Sequence, residues 1–538
     1  MLLDALRVPA LRWPLLSFLV FRAVETAAWV TLLVWAHARA GAAAAGLLAA
    51  ILLLPGVVVA SLGSVVASRA APLRVLRLGY VAQCVAALCV GAALLMGAPD
   101  WSVVLLGAAL MASCALTRPA HHALVPLLAR APDELTVGNT GSSAAQALGE
   151  LLGPAVAAGL LMTVRFGWVF VVIAVLAAIA TVGVSVVRPV HRDVLPAGHS
   201  LIAQARDGLR VVARDPAAGV LTGMFAGQFV VFGLLRVLVV VLGIDLLMAG
   251  PSGPAVLSAA LGLGALIGSL LTVLLIGRSR LAPSLLAGVA VTSVPIALLG
   301  AVGQLVPALL LLAAVGLGQA LFDVSARTLL HRSVDPRALV RLFGVQETVL
   351  VAGAVLGALL VPGLVAVAGS RGAFLIAGVL LPVLGLLAWT RIRELDRTSV
   401  LPGPALEVLR GIPMFAVLPQ PQLEQLARAL EPEPIVPAGD TVVEQGQAGD
   451  RYYVILSGTA VVRRGDRVLD ELGTGDGFGE IALLRDVPRT ASVVATSDLE
   501  VASLAREAFL LAVTGSTASL RAVDSRVDAM LEQEDGEP

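Results

Sequence analysis

The sequence predicts a polytopic α-helical membrane protein, twelve transmembrane helices in two six-helix halves, followed by an α+β cytoplasmic domain built on a β-roll. Three observations carry this reading. The chain is 58% hydrophobic and 14% charged, against roughly 45–50% and about 25% in soluble globular proteins. Apolar runs of membrane-spanning length fill residues 14–391 and then stop. Beyond them the period changes to short Val-, Ile- and Tyr-rich runs separated by Gly-Asp and Gly-Gln turns, the pattern of strands.

A bilayer core is crossed by about 20 predominantly apolar residues. That ruler places spans at 14–36, 42–67, 74–97, 101–118, 141–164, 167–187, 217–243, 253–277, 281–302, 305–325, 345–367 and 372–390. The first run follows Arg7 and Arg12 without a small-residue cleavage site, so it reads as a retained helix. All 37 basic residues are Arg. With a cytoplasmic N-terminus the inner loops collect Arg69, Arg118, Arg130, Arg188, Arg192, Arg206, Arg210, Arg214, Arg278, Arg280, Arg327, Arg332, Arg337 and Arg341. The outer loops hold Arg39, Arg165 and Arg371. This positive-inside bias places both termini in the cytoplasm of a multi-pass protein of the inner (plasma) membrane. Net charge is zero and predicts no partner. Cys84, Cys89 and Cys114 lie in apolar runs and read as small buried hydrophobes.

Features recur six helices apart. "LGSVVASRAAPLR" leaves span 2 and "IGSLLTVLLIGRSRLAP" leaves span 8, while "HALVPLLARAPDEL" follows span 4 and "RTLLHRSVDPRAL" follows span 10. Such an echo suggests paired six-helix halves. Ionisable residues at membrane depth are costly and usually face the bundle interior. Arg22 and Glu25 sit i, i+3 on one face of span 1, spaced either for a packing ion pair or for a substrate pathway. Glu150 lies in span 5 and Gln228 in span 7; Gln319 and Asp323 lie in span 10, Asp323 as a gate or a packing contact with Arg327. Glu25 and Glu150 are the carboxylates a proton-coupled exporter could use. The adjacent His121 and His122 lack metal-ligand spacing and read as surface residues.

Residues 1–391 resemble a transporter of the major facilitator superfamily, in its exporter branch. Gly63 and Arg69 match the family's loop motif after span 2, with Ser68 where the family usually carries Asp. Gly149, Gly153, Pro154 and Gly159 in "GELLGPAVAAG" resemble its span-5 antiporter motif, with Ala158 replacing a glycine. The resemblance implies secondary transport of a small molecule. The Ser68 departure keeps open a transport-inactive, membrane-anchored signalling protein.

A charged segment and a Pro-Gly break at 392–407 read as a linker into a terminal domain at 408–538. Leu423, Leu426, Ala427 and Leu430 form one apolar helical face there, and helical character returns over 505–533. Within "FGEIALLRDVPRTASV", residues 478–493, a glycine turn leads into a short helix whose free N–H groups suit a phosphate. Arg489 can bind that phosphate through parallel charge-assisted bonds, and Glu480 can accept from sugar hydroxyls. The alternative is a solvated Glu and Arg on a roll surface.

The same segment matches the phosphate-binding cassette of cyclic nucleotide-binding domains, which residues 408–533 resemble. The resemblance implies that Arg489 holds the cyclic phosphate and Glu480 the ribose 2′-OH. It implies backbone contacts from Gly479, Ile481 and Ala482, with Thr490 and Ala491 lining the phosphate and base side. The implied ligand is cAMP or cGMP, with cAMP favoured, and a lid would come from the last helix near Met530 or Leu531. The expected partners are thus a cyclic nucleotide, an unassigned small-molecule substrate and the lipid bilayer. No cofactor, catalytic or metal-ligating set is read from the sequence, and nucleic acid is not expected.

Overall fold

The computed structural model describes residues 6–514 apart from 70–71, 129–131, 188–208, 211, 273–279, 335, 399–402, 417 and 419. The chain divides into two compact units between Ser399 and Val400.

Among the described residues, ten helices of the first unit are long and apolar enough to cross a bilayer. They are α1 (Pro9–Arg69), α2 (Pro72–Leu95), α3 (Asp100–Leu128), α4 (Pro132–Leu161), α5 (Phe166–Ser185), α6 (Pro216–Val241), α7 (Gly253–Leu271), α8 (Ala282–Leu299), α9 (Leu305–Ser333) and α10 (Pro336–Thr398). Two are interrupted by non-helical backbone, α1 at Ala40 and Gly41 and α10 at Gly369. The twelve-span reading requires each of these to cross twice. A π turn, Leu242–Leu246, closes α6.

Small residues set how closely these helices approach, as expected where lipid supplies no hydrophobic drive between them. A Cβ at Gly149 or Gly153 of α4 would strike the α1 stretch Arg22–Thr26, and the Thr26 hydroxyl donates to the Gly149 carbonyl at 3.2 Å. Gly353 and Gly357 of α10 likewise lie on the α6 backbone at Ala226 and Val230. Exposed apolar side chains such as Leu78, Val367, Leu386 and Leu387 give the bundle a greasy outer surface. Backbone groups bonded within helices are what such an environment demands.

Several expectations need correction. His121 is fully buried: its ring stacks on Phe18 at 3.8 Å between centroids, and Nε2 lies 3.0 Å from the Ser142 hydroxyl. Arg118 is inside α3 rather than in a loop, because that helix continues to Leu128. Of the cysteines, Cys114 is buried, whereas Cys89 is exposed on α2. Helix α10 runs past residue 391, and Asp396 caps α8 by accepting from the Leu281 and Ala282 amides at 2.7 and 3.1 Å. Gly63, Ser68 and Arg69 fall in the last turns of α1, where side chains lie outside the described residues.

The second unit holds α11 (Gly403–Gly411), α12 (Pro413–Ala416) and α13 (Gln420–Ala429), then the eight strands β1 (Glu431–Pro432), β2 (Thr441–Val443), β3 (Arg451–Ser457), β4 (Ala460–Arg464), β5 (Arg467–Leu472), β6 (Gly477–Phe478), β7 (Ser492–Ala495) and β8 (Glu500–Ala505). Helix α14 (Glu480–Arg485) sits between β6 and β7, and α15 (Arg506–Thr514) follows β8. The strands form two antiparallel four-stranded sheets, in the orders β1-β8-β3-β6 and β2-β7-β4-β5. Val443, Ile455, Leu472, Phe478, Val493 and Val501 fill the roll between them. Tyr452 turns the opposite way and stacks on Phe509 at 4.7 Å, in a second core with Leu409, Phe415, Leu423, Leu426 and Leu483. The alternation of inward and outward residues along β3 thus serves both cores. Met530 and Leu531 lie outside the described residues.

Candidate functional site

A cavity of about 170 Å³ opens on the roll. Its walls hold the cassette residues Gly479, Glu480, Ile481, Ala482, Arg489, Thr490 and Ala491. Strand β6 delivers the chain to this point by pairing Tyr453 with Phe478 and Val454 with Gly477. Gly479 then adopts φ 95° as the N-cap of α14, a left-handed conformation that glycine alone enters without steric cost. A Cβ there would strike the Arg489 guanidinium.

Arg489 is 6% exposed. Its Nη1 donates to the Gly479 carbonyl at 3.0 Å and its Nη2 to the Arg451 carbonyl at 2.6 Å. Its own backbone is pinned from both sides: its amide donates to the Gln447 carbonyl, and its carbonyl accepts from the Gly446 amide, each at 2.8 Å. The guanidinium carbon lies 5.8 Å from the Tyr453 ring centroid. Burial pushes the guanidinium down from its ordinary value, opposed by Tyr453, Asp450 and Glu480. That ordinary value lies so far above neutrality that the charge persists. Glu480, 3% exposed, opens α14. The Thr490 carbonyl accepts from Arg464 Nε at 3.3 Å.

The structure adds residues that motif reading passed over. Val443, Val462, Leu472 and Val493 give the cavity an apolar wall, and Arg467 and Asp470 line it from β5. Their signal was the strand alternation, which says which residues point inward but not which face a hole. Gly449 is a further addition, since a Cβ there would press on Ala482 and the Arg489 guanidinium.

In the helical unit, Arg22 donates to both Glu25 and Glu150. Arg118 reaches Glu25 at 2.9 Å, and Gln146 reaches Glu150 at 3.1 Å. Three of the five expected pathway residues therefore meet. Gln228 is buried in α6, and Asp323 pairs with Arg327 at 2.9 Å within α9. Neither bonds to the cluster among the described residues. Arg236 of α6, overlooked in an apolar run, stacks its guanidinium 4.4 Å from both the Trp29 and the Phe232 ring centroids.

An apolar helical bundle followed by a roll with a pinned arginine defines a membrane protein with a terminal ligand-binding module. Comparison with known proteins gives both parts a family. A family model described as Major Facilitator Superfamily matches residues 15–307 and 254–437, and one described as cyclic nucleotide-binding domain matches 435–514. The chain belongs to the Major Facilitator Superfamily and carries a C-terminal cyclic nucleotide-binding domain. Among curated proteins it is similar to a cAMP-dependent protein kinase regulatory subunit of Hypocrea atroviridis, 39% identical over 101 residues, 19% of this chain and 22% of that one. It is also similar to a cyclic nucleotide-gated potassium channel of Rhizobium etli, 37% identical over 98 residues, 18% of this chain and 27% of that one. The chain thus spans about a quarter of the length of the curated relatives it matches. Among solved structures it is similar to the Thermus thermophilus catabolite activator protein, 27% identical with a TM-score of 0.21, covering 23% of this chain and 60% of that one.

Proposed function

We propose that this chain is a secondary active transporter, working as an exporter, whose transport cycle is set by cyclic nucleotide binding to its terminal domain. cAMP is the favoured nucleotide. Arg489 binds the cyclic phosphate, Glu480 the ribose 2′-OH, and Gly479, Ile481 and Ala482 contribute main-chain contacts. Thr490 and Ala491 border the phosphate and base, with Val443, Val462, Leu472 and Val493 as the apolar wall the base rests on. The terminal domain faces the cytoplasm, a reading supported by the arginine bias of the loops.

The observation that carries this reading is Arg489. A guanidinium this buried is costly unless its charge is compensated, and here two carbonyls hold it at the edge of a cavity lined also by Glu480, Arg467 and Asp470 among otherwise neutral residues. A bound anionic phosphate offsets the positive charge, and the remaining N–H donors supply charge-assisted bonds. Nucleotide binding can regulate transport only through a difference in affinity between the conformations of the cycle.

The test is calorimetric titration of the purified full-length chain with cAMP and cGMP. Saturable binding is expected, tighter for cAMP, and weakened about a hundredfold in Arg489→Ala, the scale of losing a bidentate charge-assisted contact. Equal affinity in wild type and variant would remove Arg489 from the site. Absence of heat with either nucleotide at millimolar concentration would remove the regulatory reading.

A further inference from the structure

We propose that Arg22, Glu25, Arg118, Glu150 and Arg236 form a binding site for a monoanionic carboxylate carried on an apolar body, with Arg236 as its principal ligand. The proposal rests on the transporter reading above and names the substrate class.

The charges decide the class. Three guanidinium groups face two carboxylates. Arg22 serves Glu25 and Glu150, and Arg118 serves Glu25. Arg236 makes no ion pair among the described residues; its neighbours are the rings of Trp29 and Phe232. It lies close enough to interact electrostatically with all four other members. The group therefore carries one net positive charge at membrane depth, where each uncompensated charge costs roughly 2.5–3.5 kcal/mol on insertion scales. One monoanion neutralises it. A cationic ligand would add a fourth positive charge, and a dianion would overshoot.

Two further observations point to a ligand. Arg22 Nε and Trp29 Nε1 are buried donors with no hydrogen-bond partner among the described residues. Arg22 is 3% and Trp29 6% exposed, and a buried donor left unsatisfied costs about 1–3 kcal/mol. A carboxylate brings acceptors that suit the Arg236 fork and the indole N–H. The Trp29 and Phe232 rings hold the Arg236 guanidinium by cation–π contact and make its surroundings apolar.

The cluster also joins α1, α3 and α4 to α6, helices from either side of residues 188–208. A ligand bridging them is held by both groups, which is where binding must sit if their relative movement is to expose it to alternate sides.

The experiment measures thermal unfolding of the full-length chain in detergent with benzoate, benzamide, benzylamine and phenyl phosphate. Benzoate is expected to raise the Tm; its amide, the amine and the phosphate, a dianion near neutral pH, are not. Arg236→Gln is expected to weaken the benzoate response about tenfold or more, and Arg236→Lys, which keeps the charge but loses the planar fork, by less. Gel filtration and circular dichroism check that each variant is folded. Should Arg236→Gln fail to fold, Trp29→Phe keeps the ring and removes the indole donor, and it is expected to weaken benzoate several-fold.

A greater Tm rise with benzylamine or phenyl phosphate, no rise with benzoate, or a folded Arg236→Gln that responds like wild type overturns the proposal. Counterflow of labelled benzoate in proteoliposomes separates this site from the transport reading. Binding without exchange keeps the site and removes transport; exchange unaffected by Arg236→Gln removes the site and keeps transport.

Discussion

Arg489 shows how a single side chain is prepared by its surroundings. Its two carbonyl contacts and two backbone bonds fix the guanidinium, so little side-chain entropy is left to lose when an anion binds. Gly479 is part of the same device through its positive φ and its closeness to Arg489. Gly479→Ala is expected to cost about 1 kcal/mol or more in backbone strain and to displace the guanidinium. Calorimetry should then show cAMP binding weakened at least several-fold, and unchanged affinity would contradict this account of the glycine. The cassette residues were legible because their spacing along the chain is the motif. Arg118, Arg236 and His121 were not, because Glu25, Trp29, Phe18 and Ser142, their partners on other helices, leave no period in the sequence. An arginine inside an apolar run says only that something compensates it; Phe232 stands four residues before it on the same helix, but Trp29 emerges only once α1 and α6 are side by side.

Among elements, α14 and α8 are the instructive ones. Helix α14 is six residues long, too short to persist alone. It is held by packing: Leu483 is 1% exposed in the core shared with Tyr452, Phe415 and Phe509. Helix α14 is therefore joined to the core that α12 and α15 share through Leu483, with Ile481 and Leu484 packed beside it. Leu483→Ala is expected to destabilise this unit by about 2–5 kcal/mol, the range for buried leucine truncations, read as a lower urea midpoint for its unfolding. Helix α8 depends on Asp396, a residue that charge composition had placed in a linker. Asp396→Ala should cost about 1 kcal/mol, as N-cap removal does, measured as a lowered Tm of the full chain in detergent. Span positions were readable from apolar length, but α10 extends to Thr398 because its last turns carry a charged residue with a buried capping role. Composition cannot separate that from a solvated linker.

For the whole molecule, the sequence separated an apolar helical part from a β-roll part, and the family matches bear out both. The abrupt change of composition and period near residue 391 made that division legible. Which helices pair, and which glycines permit it, was open until the packing of Gly149 and Gly153 against α1 was visible. The central claim is that nucleotide in the roll biases the conformations of the helical bundle. It can be tested without knowing the natural substrate. Spin labels at Pro99→Cys and Gly303→Cys occupy exposed positions on the α2–α3 and α8–α9 connections. In a background with Cys84, Cys89 and Cys114 replaced by serine, pulsed electron resonance reports the distribution of distances between them. Saturating cAMP is expected to redistribute those distances in the otherwise wild-type chain and to leave them unchanged in Arg489→Ala. An identical distribution with and without bound cAMP would contradict the claim.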